Sequence, residues 1–275
     1  MKRFIPLLGI AASASILAAC GGGGGGSSNP TTTSAASSTP NPIVFCSDVT
    51  YPPEEFYASS GAKPTGSDVD IANDVAKQLG STATIKNTGF DGIIGALNAK
   101  KCDAIISGMN DTPERRKQVD FVDYLKVGQS FMVQKGNPQH ITSLASAAGH
   151  TVSVEAGTTD RDFLAAQSAK LQKQGKPAIT IKTFPKDTDA ASALKAGRVD
   201  AYFGDSPVVV YYISKDPSFE VGGSPISPIP IGIALRKNDP LTPKVRNAIQ
   251  ALILKGTIKQ IVNKWGMTDA VTLIK

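Results

Sequence analysis

Histidine and cysteine are scarce in this chain of 275 residues, which has two of the first and three of the second, together with a single tryptophan. His140 and His150 stand apart, with no thiol or carboxylate cluster at ligand spacing, so a histidine-built metal centre is excluded and no metal or other cofactor is expected. The same scarcity leaves no Ser-His-Asp set and no activated cysteine for nucleophilic catalysis. Charge of one sign is also modest. The formal net charge is +6, with Lys and Arg scattered and no basic stripe interleaved with aromatics, which argues against a nucleic-acid partner. Long apolar runs are missing as well: only Phe4 to Ala18 is continuously apolar or small, too short to span a bilayer comfortably.

That one run belongs to an export signal. Lys2 and Arg3 supply the basic start, Phe4 to Ala18 the apolar stretch, and Leu17-Ala18-Ala19-Cys20 a small-residue cleavage region ending in cysteine. This ending resembles a bacterial lipobox, which implies a signal over 1–19 and a lipid anchor, palmitate among its acyl chains, on Cys20. The alternative is ordinary secretory cleavage with Cys20 incidental. Six glycines, Gly21 to Gly26, and a stretch of Ser, Asn, Pro, Thr and Ala up to Pro42 cannot bury enough apolar surface to fold. Residues 20–42 read as a tether, with an end-to-end distance of about 25 Å.

The folded part carries one segment twice. Ala96-Leu97-Asn98-Ala99-Lys100-Lys101-Cys102-Asp103-Ala104 returns as Ala193-Leu194-Lys195-Ala196-Gly197-Arg198-Val199-Asp200-Ala201. In each copy a helix end runs into a short apolar strand, and polar residues follow: Ser107, Asn110 and Arg115 after the first, Asp205 after the second. Alternating strand and helix signals predict α/β architecture in two lobes, 43–134 with 229–275 and 135–228, joined by a two-strand hinge. Lys135-Gly136-Asn137-Pro138 marks one passage between lobes, and the proline-rich Ser224 to Pro230 precedes the other. Cys46 and Cys102, on neighbouring buried strands at different heights, read as free small hydrophobes rather than a disulfide.

Ligands of open α/β sheets bind beyond the carboxyl ends of the strands. One lobe there offers a cation and the other a carboxylate, which suits an α-amino acid. Thr112 caps a helix with Pro113 in its first turn, so Arg115 lies near the sheet edge, where its guanidinium pairs bidentately with a carboxylate. Its alternative role is a surface ion pair with Glu114 or Asp111. Asp205, ahead of Pro207, accepts the ammonium or merely caps the next helix. Ser107, Gly108 and Asn110 add donors at the turn, and Thr158 and Thr159 present N–H groups at a helix start. Asp48, Tyr51 and Phe90 form a side-chain pocket suited to a polar, amide or cationic group.

Asp48-Val49-Thr50-Tyr51, Gly66-Ser67-Asp68-Val69-Asp70-Ile71, Phe90-Asp91-Gly92-Ile93-Ile94 and the run from Cys102 to Arg115 resemble the polar amino-acid solute-binding proteins of ABC importers, family 3 of the bacterial extracellular solute-binding proteins. Phe121-Val122-Asp123-Tyr124, Gly157-Thr158-Thr159 and Ala196 to Asp205 continue the match. The resemblance implies the periplasmic binding protein-like (type II) fold, with Arg115 on the ligand's carboxylate, Asp205 on its ammonium, Phe90 and Tyr51 packing on it and Asp48 near its side chain. It also implies an extracytoplasmic monomer that hands a polar or basic amino acid to an ABC permease. Asn110-Asp111 departs from the family, which often has a small hydroxyl residue followed by an apolar one. Two other functions fit the same scaffold. One is a secreted enzyme resembling cyclohexadienyl dehydratase, with Asp48 and Glu54 or Glu55 as its acid pair. The other is an amino-acid-sensing ectodomain acting through a partner.

Overall fold

The computed structural model describes residues 41–274; the signal, Cys20 and nearly all of the tether lie outside the described residues. The chain enters through β1 (Ile43–Ser47) and a small antiparallel sheet, β2 (Thr50–Tyr51), β3 (Glu55–Tyr57) and β4 (Pro64–Thr65). Next come α1 (Ser67–Gln78), β5 (Ala83–Asn87), a short 3₁₀ turn at Phe90–Gly92, α2 (Ile93–Asn98), β6 (Ala104–Ile105) and α3 (Pro113–Arg116). A sixteen-residue strand, β7 (Val119–Gln134), leads to β8 (Thr151–Glu155), α4 (Thr159–Lys173), β9 (Thr180–Phe184), α5 (Asp187–Lys195), β10 (Ala201–Asp205) and α6 (Ser206–Lys215). The eighteen-residue β11 (Phe219–Arg236) returns, and α7 (Leu241–Leu254), α8 (Thr257–Lys264) and β12 (Val271–Leu273) complete the described chain.

The main sheet runs β5-β1-β6-β11-β7-β10-β8-β9, with β12 added against β7. Two parallel triplets, β5-β1-β6 and β10-β8-β9, are therefore joined by one antiparallel pair, β7 and β11, whose register runs from Phe219 opposite Gln134 to Arg236 opposite Val119. This is the two-strand link expected from the sequence. The link is longer than expected: prolines 225, 228 and 230, taken as a break before the strand, sit inside β11. Prolines 225 and 228 are tolerated because the register shifts between Gly222 and Ile226 and again between Ile226 and Ile229, releasing ladder positions from the need for an N–H, while Pro230 stands in register opposite Lys126.

The repeated segment folds the same way twice. After α2 and after α5 the chain turns through a left-handed residue, Lys100 (φ 57°) in one copy and Gly197 (φ 65°) in the other. Lys100 N–H donates to Leu97 O and Lys101 N–H to Ala96 O; Gly197 N–H donates to Leu194 O and Arg198 N–H to Ala193 O, all at 2.9–3.0 Å. The aspartates match too. Asp103 accepts from Val44 N–H at 2.8 Å, and Asp200 accepts from Thr151 N–H at 2.8 Å, each tying a turn to the start of the first strand of its half. A left-handed lysine costs about 1–2 kcal/mol relative to a right-handed conformation, partly offset by the extra unfolded-state entropy of glycine. Lys100→Gly is thus expected to raise stability by about 0.5–1 kcal/mol, read as a higher urea midpoint at unchanged m value.

Apolar faces pack on both sides of the sheet. Phe45, Ile71, Tyr124, Leu125 and Ile233 pack with Ile249 and Ile258 of α7 and α8. Phe131, Val152, Leu164 and Phe203 form the core under α4, and Ala190, Leu194, Tyr202 and Val208 that under α5 and α6. Each fully buried large side chain contributes about 1.5–3 kcal/mol.

The cysteines correct the sequence expectation: Cys46 and Cys102 form a disulfide with a Cα–Cα distance of 5.7 Å. Cys46 lies opposite Ile105 in the β1–β6 register, so a straight strand would carry residue 102 about 10 Å lower. The chain instead bends at 101–103, after the left-handed Lys100, and folds Cys102 back beside β1. A disulfide suits an oxidising, extracytoplasmic compartment.

Candidate functional site

The inner strands of the two triplets end at one place. Asp48 and Ser107 follow just beyond the carboxyl ends of β1 and β6, while Glu155 and Asp205 end β8 and β10. With Tyr51, Phe90, Gly108, Asn110, Thr158 and Asp160 they line a narrow cleft with a free volume of about 10 Å³. A larger groove of about 580 Å³ opens on the outside between β7 and α7, but it is shallow, and two of its cations are already paired, Arg116 with Asp111 and Lys237 with Asp120.

Arg115 stands at the rim. Thr112 caps α3, accepting from Arg115 N–H at 3.2 Å, and Pro113 occupies the first turn, as read from the sequence. The guanidinium donates to Asn110 O at 3.0 Å and Gly157 O at 3.3 Å and lies 5.3 Å from the centre of the Phe90 ring. It therefore joins the first half to the second rather than pairing with Glu114 or Asp111. Burial lowers its pKa, opposed by the nearby carboxylates of Asp160 and Asp205, and an arginine remains charged under such shifts. The Thr159 hydroxyl bonds the Asn110 side chain across the same gap. Arg115 and Thr159 border the cleft without lining it; the other eight residues expected from the sequence do line it.

Asp205 is 2 % exposed. It occupies the N-cap position of α6 but makes no side-chain capping bond, so the capping role is not what it performs. Its Oδ1 has no partner, its backbone N–H donates to the Tyr51 hydroxyl at 3.3 Å, and that tyrosine also bonds its carboxylate. Burial, with Asp160 adding, pushes the Asp205 carboxyl well above the ordinary range. Asp160, in the first turn of α4, is 3 % exposed and accepts from the Gln129 amide; burial raises it to about 7. Glu155 is 3 % exposed with Oε1 unpartnered. Neither Glu155 nor Asp160 was expected from the sequence. The available signal was an acid ending a parallel strand, and another just after a helix cap.

On the opposite side Asp48 is held by two donors, the Thr50 hydroxyl and Phe90 N–H, each at 2.7 Å. Ser107 receives Asp48 N–H at 2.9 Å and donates to Glu55 at 2.7 Å, and Gly108 N–H donates to Asp68 at 2.8 Å. Glu54 and Glu55 are buried behind this floor and line no part of the cleft, so the acid pair expected of an enzyme does not assemble there. Tyr51 lies within 3.1 Å of where a side chain on Gly108 would begin, so only glycine lets the ring sit over the floor. The cleft thus sets four carboxyl groups against one guanidinium, which favours a guest with one anionic group and more than one cationic group.

Comparison with known proteins agrees with this geometry. The profile of the bacterial extracellular solute-binding proteins, family 3, matches residues 43–268. A putative ABC transporter arginine-binding protein 2 of Escherichia coli is 32 % identical over 230 residues, covering 81 % of this chain and 90 % of its own. Among solved structures, an ancestral arginine-binding protein bound to arginine superposes with a TM-score of 0.74 at 35 % identity, covering 81 % of this chain and 97 % of that one. An ancestral amino acid-binding protein, AncCDT-1, described as a precursor of cyclohexadienyl dehydratase, gives 0.72 at 34 %, covering 81 % and 94 %. With its two parallel triplets, its antiparallel link and its polar cleft at the strand ends, this chain belongs to family 3 of the bacterial extracellular solute-binding proteins, which capture amino acids outside the cytoplasm for ABC importers.

Proposed function

We propose that the chain binds an amino acid with a polar or basic side chain, without chemical conversion, and that Arg115 and Asp205 are the two ends of the clamp. The observation that carries this reading is the placing of one guanidinium and one buried carboxylate whose Oδ1 has no partner, from opposite halves, around a single cleft. Arg115 would exchange its carbonyl partners for the ligand carboxylate, with N–H groups of Thr158 and Thr159 at the start of α4 supporting the same charge. Asp205 would take the ammonium. Ser107, Gly108 and Asn110 would hold the amino-acid backbone from below, and Tyr51 and Phe90 would pack against it.

Closure follows from differential contacts: the ligand binds the open form through one half, and the second half adds bonds only when closed. The division proposed for this motion is 43–134 with 229–275 against 135–228, bending at the β7–β11 link. In the cell the protein would work as a lipid-anchored monomer on Cys20, with residues 20–42 as its tether, delivering its cargo to permease subunits. Among the described residues no helix is long and apolar enough to cross a membrane.

The test is calorimetric titration of the exported, detergent-solubilised protein, refolded to strip carried-over ligand, with each standard amino acid. Saturable one-to-one binding of one or a few, with the amino acid recovered intact, is the expected result. Recovery of a chemically altered product would favour the enzyme reading.

A further inference from the structure

Glu155 lines the cleft but, like Asp48 and Asp160, has no task in the clamp just described. It comes from the second half, at the carboxyl end of β8, while Asp48 lines the same cleft from the first half, beyond the end of β1. Asp48 is fixed by its two donors, so its carboxylate is oriented before any ligand arrives. Glu155 takes one hydrogen bond from the Asp187 backbone and keeps Oε1 buried with no partner among the described residues. A buried carboxylate oxygen without a donor costs several kcal/mol if charged, so it persists only where a proton or a cation satisfies it.

We infer that Glu155 selects the ligand's side chain: with Asp48 it forms a carboxylate pair, one member from each half, that closes on a guanidinium or ammonium group. This rests on the amino-acid reading above and names the class of amino acid, one whose side chain is a cation. Two carboxylates on opposite sides suit a guanidinium best, since that planar group presents donors on more than one edge. Because the two members belong to different halves, the cationic side chain would also be a reason for the cleft to close, which a neutral side chain would supply less well.

The surroundings of Glu155 set the proton balance. Asp187 on α5, Asp48 on the opposite half and Asp160 on α4 all raise its pKa, on top of burial; Tyr212 of α6 lies behind Asp187, and the cations near this corner are Lys186, beside Asp48, and Arg115 at the rim. Before the ligand arrives Glu155 therefore holds a proton at pH values where an ordinary glutamate has lost it. A cationic side chain needs the carboxylate, so its binding drives that proton to solvent. Asp205 loses its proton to solvent on binding the α-ammonium by the same logic, but it does so for every amino acid. Comparing arginine with citrulline, in which a neutral urea replaces the guanidinium, cancels that shared contribution.

The test is titration of the refolded protein with arginine and citrulline at pH 6, in buffers of low and high ionisation enthalpy, so that the buffer dependence of the heat counts protons. Arginine is expected to bind at least about thirtyfold more tightly than citrulline and to release more protons. Glu155→Gln should bring the affinity ratio close to unity and abolish the extra proton release, and Glu155→Asp should restore part of both. Equal affinity or equal proton release for the two ligands in the unmodified protein, a count that needs no variant, would overturn the inference while leaving amino-acid capture in place. An undiminished ratio in a folded Glu155→Gln protein would overturn it too. Failure of every amino acid to bind would instead overturn the capture reading on which it rests.

Discussion

Arg115→Ala is expected to weaken amino-acid binding by at least about a hundredfold while leaving the unfolding midpoint within a degree or two. A charged hydrogen bond contributes about 1.5–3 kcal/mol, and a bidentate guanidinium–carboxylate pair makes two of them, whereas micromolar affinity needs only about 8 kcal/mol in all. Arg115→Lys separates charge from geometry. It keeps the charge but loses the planar fork, and should recover less than half of the lost free energy. Isothermal calorimetry on the three proteins, with thermal unfolding as the control for folding, measures this. Near-normal affinity of Arg115→Ala would mean that the ligand carboxylate lies elsewhere, with the α4 N-terminus the next place to look.

Removing the Cys46–Cys102 disulfide should lower stability by about 4 kcal/mol. The bond closes a loop spanning 56 positions of sequence separation, which holds α1, β5 and α2, and its effect falls mainly on the unfolded chain. Replacing both cysteines by alanine, or unfolding in urea with reductant present, should shift the midpoint by that equivalent. Identical midpoints with and without reductant would mean that the thiols are free. Ligand affinity should change little, because neither sulfur lines the cleft.

Much of the fold was legible because the chain repeats a local code. The two copies around Lys100 and Gly197 use the same helix ending, the same aspartate tie and the same entry into a parallel strand, and each of these needs only neighbours in sequence. Arg115 was legible for the same reason: Thr112 and Pro113 fix a helix start, and the helix start fixes the side chain. What stayed hidden depends on partners far away. The strand β7 contains Asp120, Asp123 and Lys126 and loses its alternation, yet it pairs along its length with β11, whose nearest register pair, Gln134 with Phe219, already joins residues far apart in sequence, the other pairs lying still further apart. The small sheet from Thr50 to Thr65 carries Pro52 and Pro53, which argue for loop. Glu155 and Asp160 look like any surface acid at the end of a strand or the start of a helix. They are buried against residues distant in sequence, Asp187 for Glu155 and Gln129 for Asp160, and no local pattern carries that information. Cys102 was misplaced because a strand was drawn where the chain bends.

The order in which the chain leaves the membrane bears on how this architecture can form. The core under α4 is drawn from Phe131 to Phe203, with Ile226 packed against it, so it can consolidate as soon as that contiguous stretch has crossed. The core around β1 begins at Phe45 and ends at Met267, and it lacks α7 and α8 until almost the last residues have emerged. The half that is translocated first is therefore the half that finishes last. Its apolar strands wait, exposed, through the passage of nearly two hundred further residues, so the slow closing of long-range pairs, rather than local helix formation, should set the maturation rate and the exposure to aggregation outside the cell.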